Sequence, residues 1–193
     1  HPDTAMVLNN LAVNYSDLAQ HDKAIELHLR VLKIQEKVFD SDHPDIALSL
    51  NNLAFGYSKL AQYDKALPLF WRALAINEKA LGPDHPDTAL SLNNLSLSYQ
   101  GLVQYDKVLP LQRRALAIYE KELGPNHPDT ALSLNNLAAT YIDLAQYEKA
   151  LPLQQRTLAI YEKVLGPDHP DTALSLNNLA FTYSDLAQHN KAL

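Results

Sequence analysis

Five of the eight histidines in this sequence open an identical His-Pro-Asp triplet, and an imidazole beside a carboxylate can bind a metal ion or move a proton. Successive triplets are 42 residues apart, so each falls in a separate unit. If units stack at helix-packing distances, the histidines are about 10 Å or more apart, too far to share a metal ion. The triplets start at His1, His43, His85, His127 and His169. We interpret them as structural helix starts and predict neither a metal site nor a cofactor.

The other polar residues do not form a catalytic constellation. The chain has no cysteine, which excludes thiol nucleophiles, disulfides and thiolate zinc sites. Its five glycines form no Gly-rich phosphate loop, and its serines lack the nucleophile elbow of hydrolases. We therefore predict that the protein is not an enzyme.

Charge and hydropathy restrict the partners. The formal net charge is −6 and no basic stripe is visible, so nucleic acid is not an expected partner. A membrane is not expected either, because no run of about 18 apolar residues could span one. The absence of cysteine fits a reducing compartment, and we predict a cytoplasmic location. The sequence opens without an initiator Met or a signal peptide, which suggests a fragment of a longer protein.

Paired asparagines are the most informative polar feature. Asparagine is a mediocre helix former and is costly to bury, so a repeated pair must use its amides. One amide offers both a donor and an acceptor, which matches one peptide unit of an extended strand. The pairs are Asn9-Asn10, Asn51-Asn52, Asn93-Asn94, Asn135-Asn136 and Asn177-Asn178. They indicate one of two roles. The amides either contact a guest peptide or form a ladder in which each amide hydrogen-bonds to the neighbouring unit.

A 42-residue repeat must position these side chains. Near-copies of one unit are typical of a linear array, because each unit then packs only on its neighbours. The third and fourth units differ at 12 of 42 positions. The predicted repeats are 1–42, 43–84, 85–126, 127–168 and a partial 169–193, together forming one domain.

Hydrophobic periodicity makes each unit a pair of helices. In the second unit, apolar side chains recur at the 3.6-residue period, which predicts helix A near 43–60 and helix B near 64–80. Asp42 and Asp45 resemble a capping box. The turn between the helices is predicted at 61–63, and Gly82 suits the C′ position that ends helix B. The pattern gives nine helices, followed by a stub of a tenth at 191–193.

The order Leu-x-x-Leu-Ala-x-x-Tyr, followed by two spaced alanines, resembles the tetratricopeptide (TPR) pattern. In the second unit its members are Leu50, Leu53, Ala54, Tyr57, Ala66 and Ala73. The 42-residue period and the Leu-Gly-Pro-Asp-His-Pro connection are similar to the kinesin-light-chain type. The resemblance implies an all-α fold, a right-handed superhelical solenoid of antiparallel helix pairs, with a peptide-binding groove lined by the A helices.

By the same resemblance, the second asparagine of each pair grips the ligand backbone. The predicted residues are Asn10, Asn52, Asn94, Asn136 and Asn178. Three residues further on, a variable apolar row joins the site, unless neighbouring repeats bury it. This row is Val13, Phe55, Leu97, Ala139 and Phe181. Lys59 completes the predicted groove.

The flanking rows indicate the ligand. One helix A row is apolar, and it consists of Met6, Leu48, Leu90, Leu132 and Leu174. Another is net acidic, and it consists of Asp17, Lys59, Gly101, Asp143 and Asp185. These rows fit neither a C-terminal carboxylate nor the acidic cargo peptides of kinesin light chains. They favour a protein or peptide segment with apolar side chains and some basic ones.

Helix B carries two further features. Arg72 and its counterparts in the other units could contact a ligand carboxylate, but we favour pairs with acids such as Glu78 or Asp45 across units. Trp71 either forms a contact site found only in this repeat or is a tolerated surface aromatic.

Two functions follow from the sequence. The first is a peptide-binding adaptor, motivated by the asparagines beside the variable apolar row. The second is an architectural or self-association module that spaces domains or stacks end to end, motivated by the near-identity of the repeats. A monomer that stays concentration-independent in sedimentation would count against the second.

Overall fold

Helices account for nearly all of the chain. The computed structural model describes the backbone of residues 2–192 and the side chains of residues 4–187. Within these residues there are nine helices and no strand. They are α1 (Pro2–Asp17), α2 (His21–Val38), α3 (Pro44–Lys59), α4 (Tyr63–Ala80), α5 (Pro86–Gly101), α6 (Tyr105–Glu122), α7 (Pro128–Asp143), α8 (Tyr147–Val164) and α9 (Pro170–Ala192). The predicted all-α fold class is confirmed.

The helices fall into two compact units. Unit 1 ends at Gln104 and contains α1–α5, and unit 2 begins at Tyr105 and contains α6–α9. Odd-numbered helices are the predicted A helices and even-numbered helices the B helices. The three-residue connections from α1 to α2, from α3 to α4 and from α7 to α8 reverse the chain, so the helices of these three pairs are antiparallel. The organisation as one domain with these repeat boundaries stays a prediction.

The His-Pro-Asp triplet starts helix A. His43 is the N-cap of α3, and its Nδ1 accepts a hydrogen bond from the backbone N–H of Asp45 at 3.2 Å. Pro44 takes the first helical position, where no N–H is needed. The predicted capping box of Asp42 and Asp45 is therefore wrong, because the imidazole supplies the acceptor. Asp42 instead forms an ion pair with Lys79.

Helix A ends in a left-handed residue. Ala61 has φ 55°, its N–H donates to the Ser58 carbonyl, and the next N–H donates to the Tyr57 carbonyl. These two bonds form a Schellman motif, which satisfies the last carbonyls of α3. The loop is 60–62, one residue earlier than predicted, because Tyr63 already belongs to α4.

Helix B ends at glycine, as predicted. Gly82 has φ 105° and its N–H donates to the Asn77 carbonyl. Only a residue without Cβ adopts this conformation readily. The same position in the later units holds Gly124 and Gly166, also with positive φ.

Close helix packing forms the core of each unit. Ala54 on α3 and Ala66 and Ala73 on α4 are fully buried, so the two backbones approach closely where they cross. Larger side chains fill the space between pairs. In unit 1 the cluster contains Ile25, Leu32, Ile46, Ala47, Leu50, Leu53, Ala73 and Ile76. In unit 2 the corresponding cluster contains Ala131, Leu134 and Ile160.

The last helix departs from the sequence prediction. The stub of a tenth helix at 191–193 is not formed, because α9 runs without a break from Pro170 to Ala192. Leu193 lies outside the described residues. In the first, second and fourth repeats a packed helix B holds the turn in place. No described helix packs there on α9, so the helical hydrogen bonds continue.

Candidate functional site

The first asparagine of the pair is structural in unit 1. Asn51 is buried, and its Nδ2 donates to the Ser91 hydroxyl of the next repeat at 3.1 Å. Asn77 on α4 donates to the same oxygen at 3.0 Å and to the Asp87 carbonyl at 3.2 Å. One serine hydroxyl thus joins α3, α4 and α5. The ladder interpretation therefore applies to Asn51.

The second asparagine lies nearer the surface. Asn52 is half-buried, and its Nδ2 donates to Asn9 Oδ1 of the preceding repeat at 3.3 Å. Asn10 is exposed, and Asn94, Asn136 and Asn178 are partly exposed. The amide of Asn52 therefore contacts a neighbouring repeat while part of the side chain remains accessible to a guest.

Apolar side chains flank the second asparagine on both sides. The predicted row three residues further on is exposed throughout, with Phe55 at 40% and Phe181 at 71%. Its other members are Val13, Leu97 and Ala139. The apolar row four residues before the asparagine is exposed as well, and it contains Met6, Leu48, Leu90, Leu132 and Leu174. Neighbouring repeats leave both rows in contact with solvent.

Clefts open between neighbouring A helices of each unit. In unit 1, a cleft of about 200 Å³ lies between α3 and α5, with Leu48 and Leu90 on its sides and Asn51 and Asn77 among its lining residues. In unit 2, two clefts of about 310 Å³ and 250 Å³ lie between α7 and α9. Asn135 and Asn178 line both of them. The predicted groove asparagine of α9 thus lies where an extended guest could pass from one cleft to the next.

Charge distinguishes the repeats from one another. In the second repeat, Lys59 Nζ lies 4.8 Å from the centre of the Phe55 ring, within the range of a cation–π contact. In unit 2, Asp143 and Asp185 line the smaller cleft. Burial, together with the charge and hydrogen bond of Asp143, raises the pKa of Tyr105, so the two side chains are in contact.

The repeating arginines join successive B helices. Arg72 Nη1 lies 2.6 Å from Glu36 Oε1, and Arg156 pairs with Glu120 in the same way. Glu36 and Glu120 occupy the position that Glu78 has in the second repeat. The expected pairing across repeats is therefore found for Arg72 and Arg156, with the helix B acid as the partner.

A further inter-repeat bond was not foreseen from the sequence. Trp71 Nε1 donates to the Tyr99 hydroxyl at 3.1 Å, so the exposed indole has a specific role. Arg113 donates to Tyr141 at 2.6 Å, and Gln155 donates to Tyr183 at 2.8 Å. The signal was present: a donor side chain precedes each of these tyrosines by 28 residues.

The described residues offer neither a metal-binding cluster nor a membrane-spanning helix. No group of three or more His, Cys, Asp or Glu side chains there could hold a metal ion. Nor is any described helix long and apolar enough to cross a membrane.

Stacked helix pairs with exposed side-chain rows on their A helices define an α-helical repeat protein. The sequence model of the tetratricopeptide repeat family matches residues 3–76, 45–121, 98–163 and 134–193. The chain therefore belongs to the tetratricopeptide repeat family. Proteins with this fold are typically non-enzymatic and generally mediate protein–protein interaction. No curated protein matches the chain significantly.

Solved structures support the kinesin-light-chain type. A kinesin light chain-like protein of Podosopora anserina with nearly identical TPR-like repeats is 31% identical, with a TM-score of 0.82. The match covers 100% of this chain and 91% of that one. BtubC of P. vanneervenii has the same TM-score at 23% identity, over 96% of this chain and 74% of that one, and shares the fold.

A more distant structure also shares the fold. It is a Rap protein solved in complex with competence and sporulation factor. The identity is 16% and the TM-score 0.79, over 98% of this chain and 50% of that one.

Proposed function

We propose that this chain is an adaptor that binds an extended, largely apolar segment of a partner protein along its A helices. The observation that carries the proposal is the second asparagine, half-exposed between two exposed apolar rows. An amide there can exchange hydrogen bonds with a guest backbone, and the apolar rows can bury guest side chains. Mixed polar and apolar lining of this kind is typical of extended-peptide recognition.

The two asparagines of a pair allow a matched test. A random peptide library displayed on phage would be selected on the whole chain, and one selected peptide would be made synthetically. Changing Asn52, Asn94 and Asn136 together to Ala removes three amides from the proposed contact. Because each lost hydrogen bond contributes about 0.5–1.5 kcal/mol, the peptide should bind about tenfold more weakly or worse. Isothermal titration calorimetry measures this change.

The control is the buried first asparagine. Asn51→Ala leaves the Ser91 hydroxyl without one of its buried donors, so the melting temperature should fall. The triple variant loses the longer, part-buried Asn52–Asn9 bond, so it should melt closer to the wild type than Asn51→Ala does. A triple variant that melts much lower and still binds the peptide with unchanged affinity would overturn the proposal. The architectural or self-association alternative stays a prediction.

A further inference from the structure

The smaller cleft of unit 2 combines features that point to one kind of guest side chain. It lies between α7 and α9, with α8 also contributing to its lining, and has a volume of about 250 Å³. Its lining includes Ala139, Gln154, Asn178, Phe181 and Asp185. Asn178 and Phe181 belong to the proposed groove, so a peptide bound there would pass over this cleft.

A buried side chain with an unsatisfied oxygen lines the cleft. Gln154 on α8 is 3% exposed, and its Oε1 is buried without a hydrogen-bond partner. A buried acceptor without a partner is costly, and most such groups in proteins are satisfied. A guest donor in the cleft would supply the missing bond once the Gln154 amide rotates its oxygen toward the cleft.

The charges of the cleft select a cationic donor. Asp143 and Asp185 both line it, and none of its lining residues is basic. Asp185 is partly buried, so water screens its charge less than that of a fully exposed carboxylate. A guest carboxylate would be repelled, and a guest cation would be stabilised.

The second repeat shows how a cation fits at this position. There Lys59 lies over the Phe55 ring, 4.8 Å from its centre. In the fifth repeat the ring is kept as Phe181, which is 71% exposed, but aspartate replaces the lysine at 185. The chain thus supplies its own cation in one repeat and leaves the ring uncovered beside a carboxylate in the other.

We propose that this cleft receives an arginine side chain of the bound segment. The guanidinium stacks on Phe181, donates to Gln154 Oε1 and pairs with the Asp185 carboxylate. Its planar donors satisfy an amide oxygen and a carboxylate at once, which a single ammonium does less well. This inference rests on the proposed peptide-binding function and adds the chemistry of one ligand residue to it.

The test uses pools of short peptides with degenerate apolar flanks and one fixed central residue. The central residue is arginine in one pool, its neutral isostere citrulline in the second and glutamate in the third. Fluorescence anisotropy with the whole chain measures the affinity of each pool. The arginine pool should bind about tenfold tighter than the citrulline pool, because a charge-assisted hydrogen bond contributes about 1.5–3 kcal/mol. The glutamate pool should bind most weakly.

Three substitutions test whether the preference arises at this cleft. Asp185→Lys recreates the arrangement of the second repeat, so the new lysine should cover Phe181 and abolish the arginine preference. Asp168→Lys makes the same charge change at an exposed position before α9, outside the cleft and the A-helix rows, and should preserve the preference. Gln154→Leu removes the unsatisfied oxygen at similar volume. It should reduce the arginine preference without lowering the melting temperature.

The outcomes separate the inference from the function on which it rests. Equal binding of the arginine and citrulline pools, lost in the triple asparagine variant, would overturn the arginine site and leave the peptide-binding function intact. An arginine preference lost equally in Asp168→Lys and Asp185→Lys would overturn the placement at this cleft. Failure of every pool to bind would overturn both proposals.

Discussion

One helix B position is buried in every complete repeat, although three of its four occupants are polar. They are His28, Phe70, Gln112 and Gln154. Buried side-chain atoms of all three polar residues have no hydrogen-bond partner among the described residues. Phenylalanine at the same place shows that an apolar ring fits there. The polar residues therefore weaken the core, and the Gln154 side chain also lines a cleft.

His28 makes the stability depend on pH. Burial lowers the pKa of His28 below its usual 6.5. Below about pH 6.5 the unfolded chain therefore binds a proton that the folded chain does not, and the free energy of unfolding falls as the pH decreases. His28→Phe removes this pH dependence. Phe70 occupies the same position in the second repeat.

The measurement is urea unfolding of the wild type and His28→Phe between about pH 8 and pH 5. The variant should gain stability relative to the wild type as the pH falls below about 6.5. The difference should be constant above that pH, which serves as the internal control. Parallel curves over the whole range would contradict the prediction.

Helix ends show where this sequence accepts strain. The residue after the C-cap of helix A has positive φ in four repeats, and none of the four is glycine. They are Ala19, Ala61, Val103 and Ala145, with φ between 54° and 60°. The Schellman hydrogen bonds hold this conformation against the preference of an L side chain.

Val103 should be the most strained of the four, because a β-branched side chain in the left-handed region is a genuine outlier. Its side chain is 70% exposed, so little packing would be lost on truncation. Val103→Gly should raise the free energy of unfolding by about 1 kcal/mol, after the entropy cost of glycine in the unfolded chain is subtracted. Urea unfolding followed by circular dichroism measures the change. Val164→Gly, the same exchange at the last residue of α8, should give no gain, and a loss in Val103→Gly would refute the argument.

At the scale of the whole molecule, equivalent contacts recur from repeat to repeat. Thr88 and Thr130 are fully buried, and each donates to a glycine carbonyl in the preceding connection at 2.8 Å. Thr172 makes the same bond. Because a repeat packs mainly on its neighbours, equal contacts should contribute equally wherever they occur.

Thr88→Val and Thr130→Val therefore should each lower the free energy of unfolding by about 1 kcal/mol, since the shape is kept and one hydrogen bond is lost. The double variant should lose the sum of the two. Urea unfolding of the single and double variants measures this. Thr4→Val, at the same position of the first repeat but exposed, should have little effect. Unequal losses or strong coupling between the two would contradict a nearest-neighbour description.

Sequence alone determined the fold class, the helix pairs and the rows of side chains. The 42-residue period sets which residues are equivalent, and the helical period sets which of them share a face. Both are local properties of the chain, so the helix bounds predicted for the second unit came out within one residue. Backbone stereochemistry likewise made Gly82 recognisable as a helix end.

Only the tertiary structure decided how each polar side chain is used. The asparagines of a pair are adjacent, yet Asn51 is sealed against Ser91 while Asn52 stays half-exposed. The imidazole of His43 took the capping role that the sequence assigned to Asp42. Nothing local marks Gln154 as a buried residue that lines a cleft. Such roles depend on which atoms the neighbouring repeats bring within about 3 Å, and that is fixed by packing between helices rather than by spacing along them.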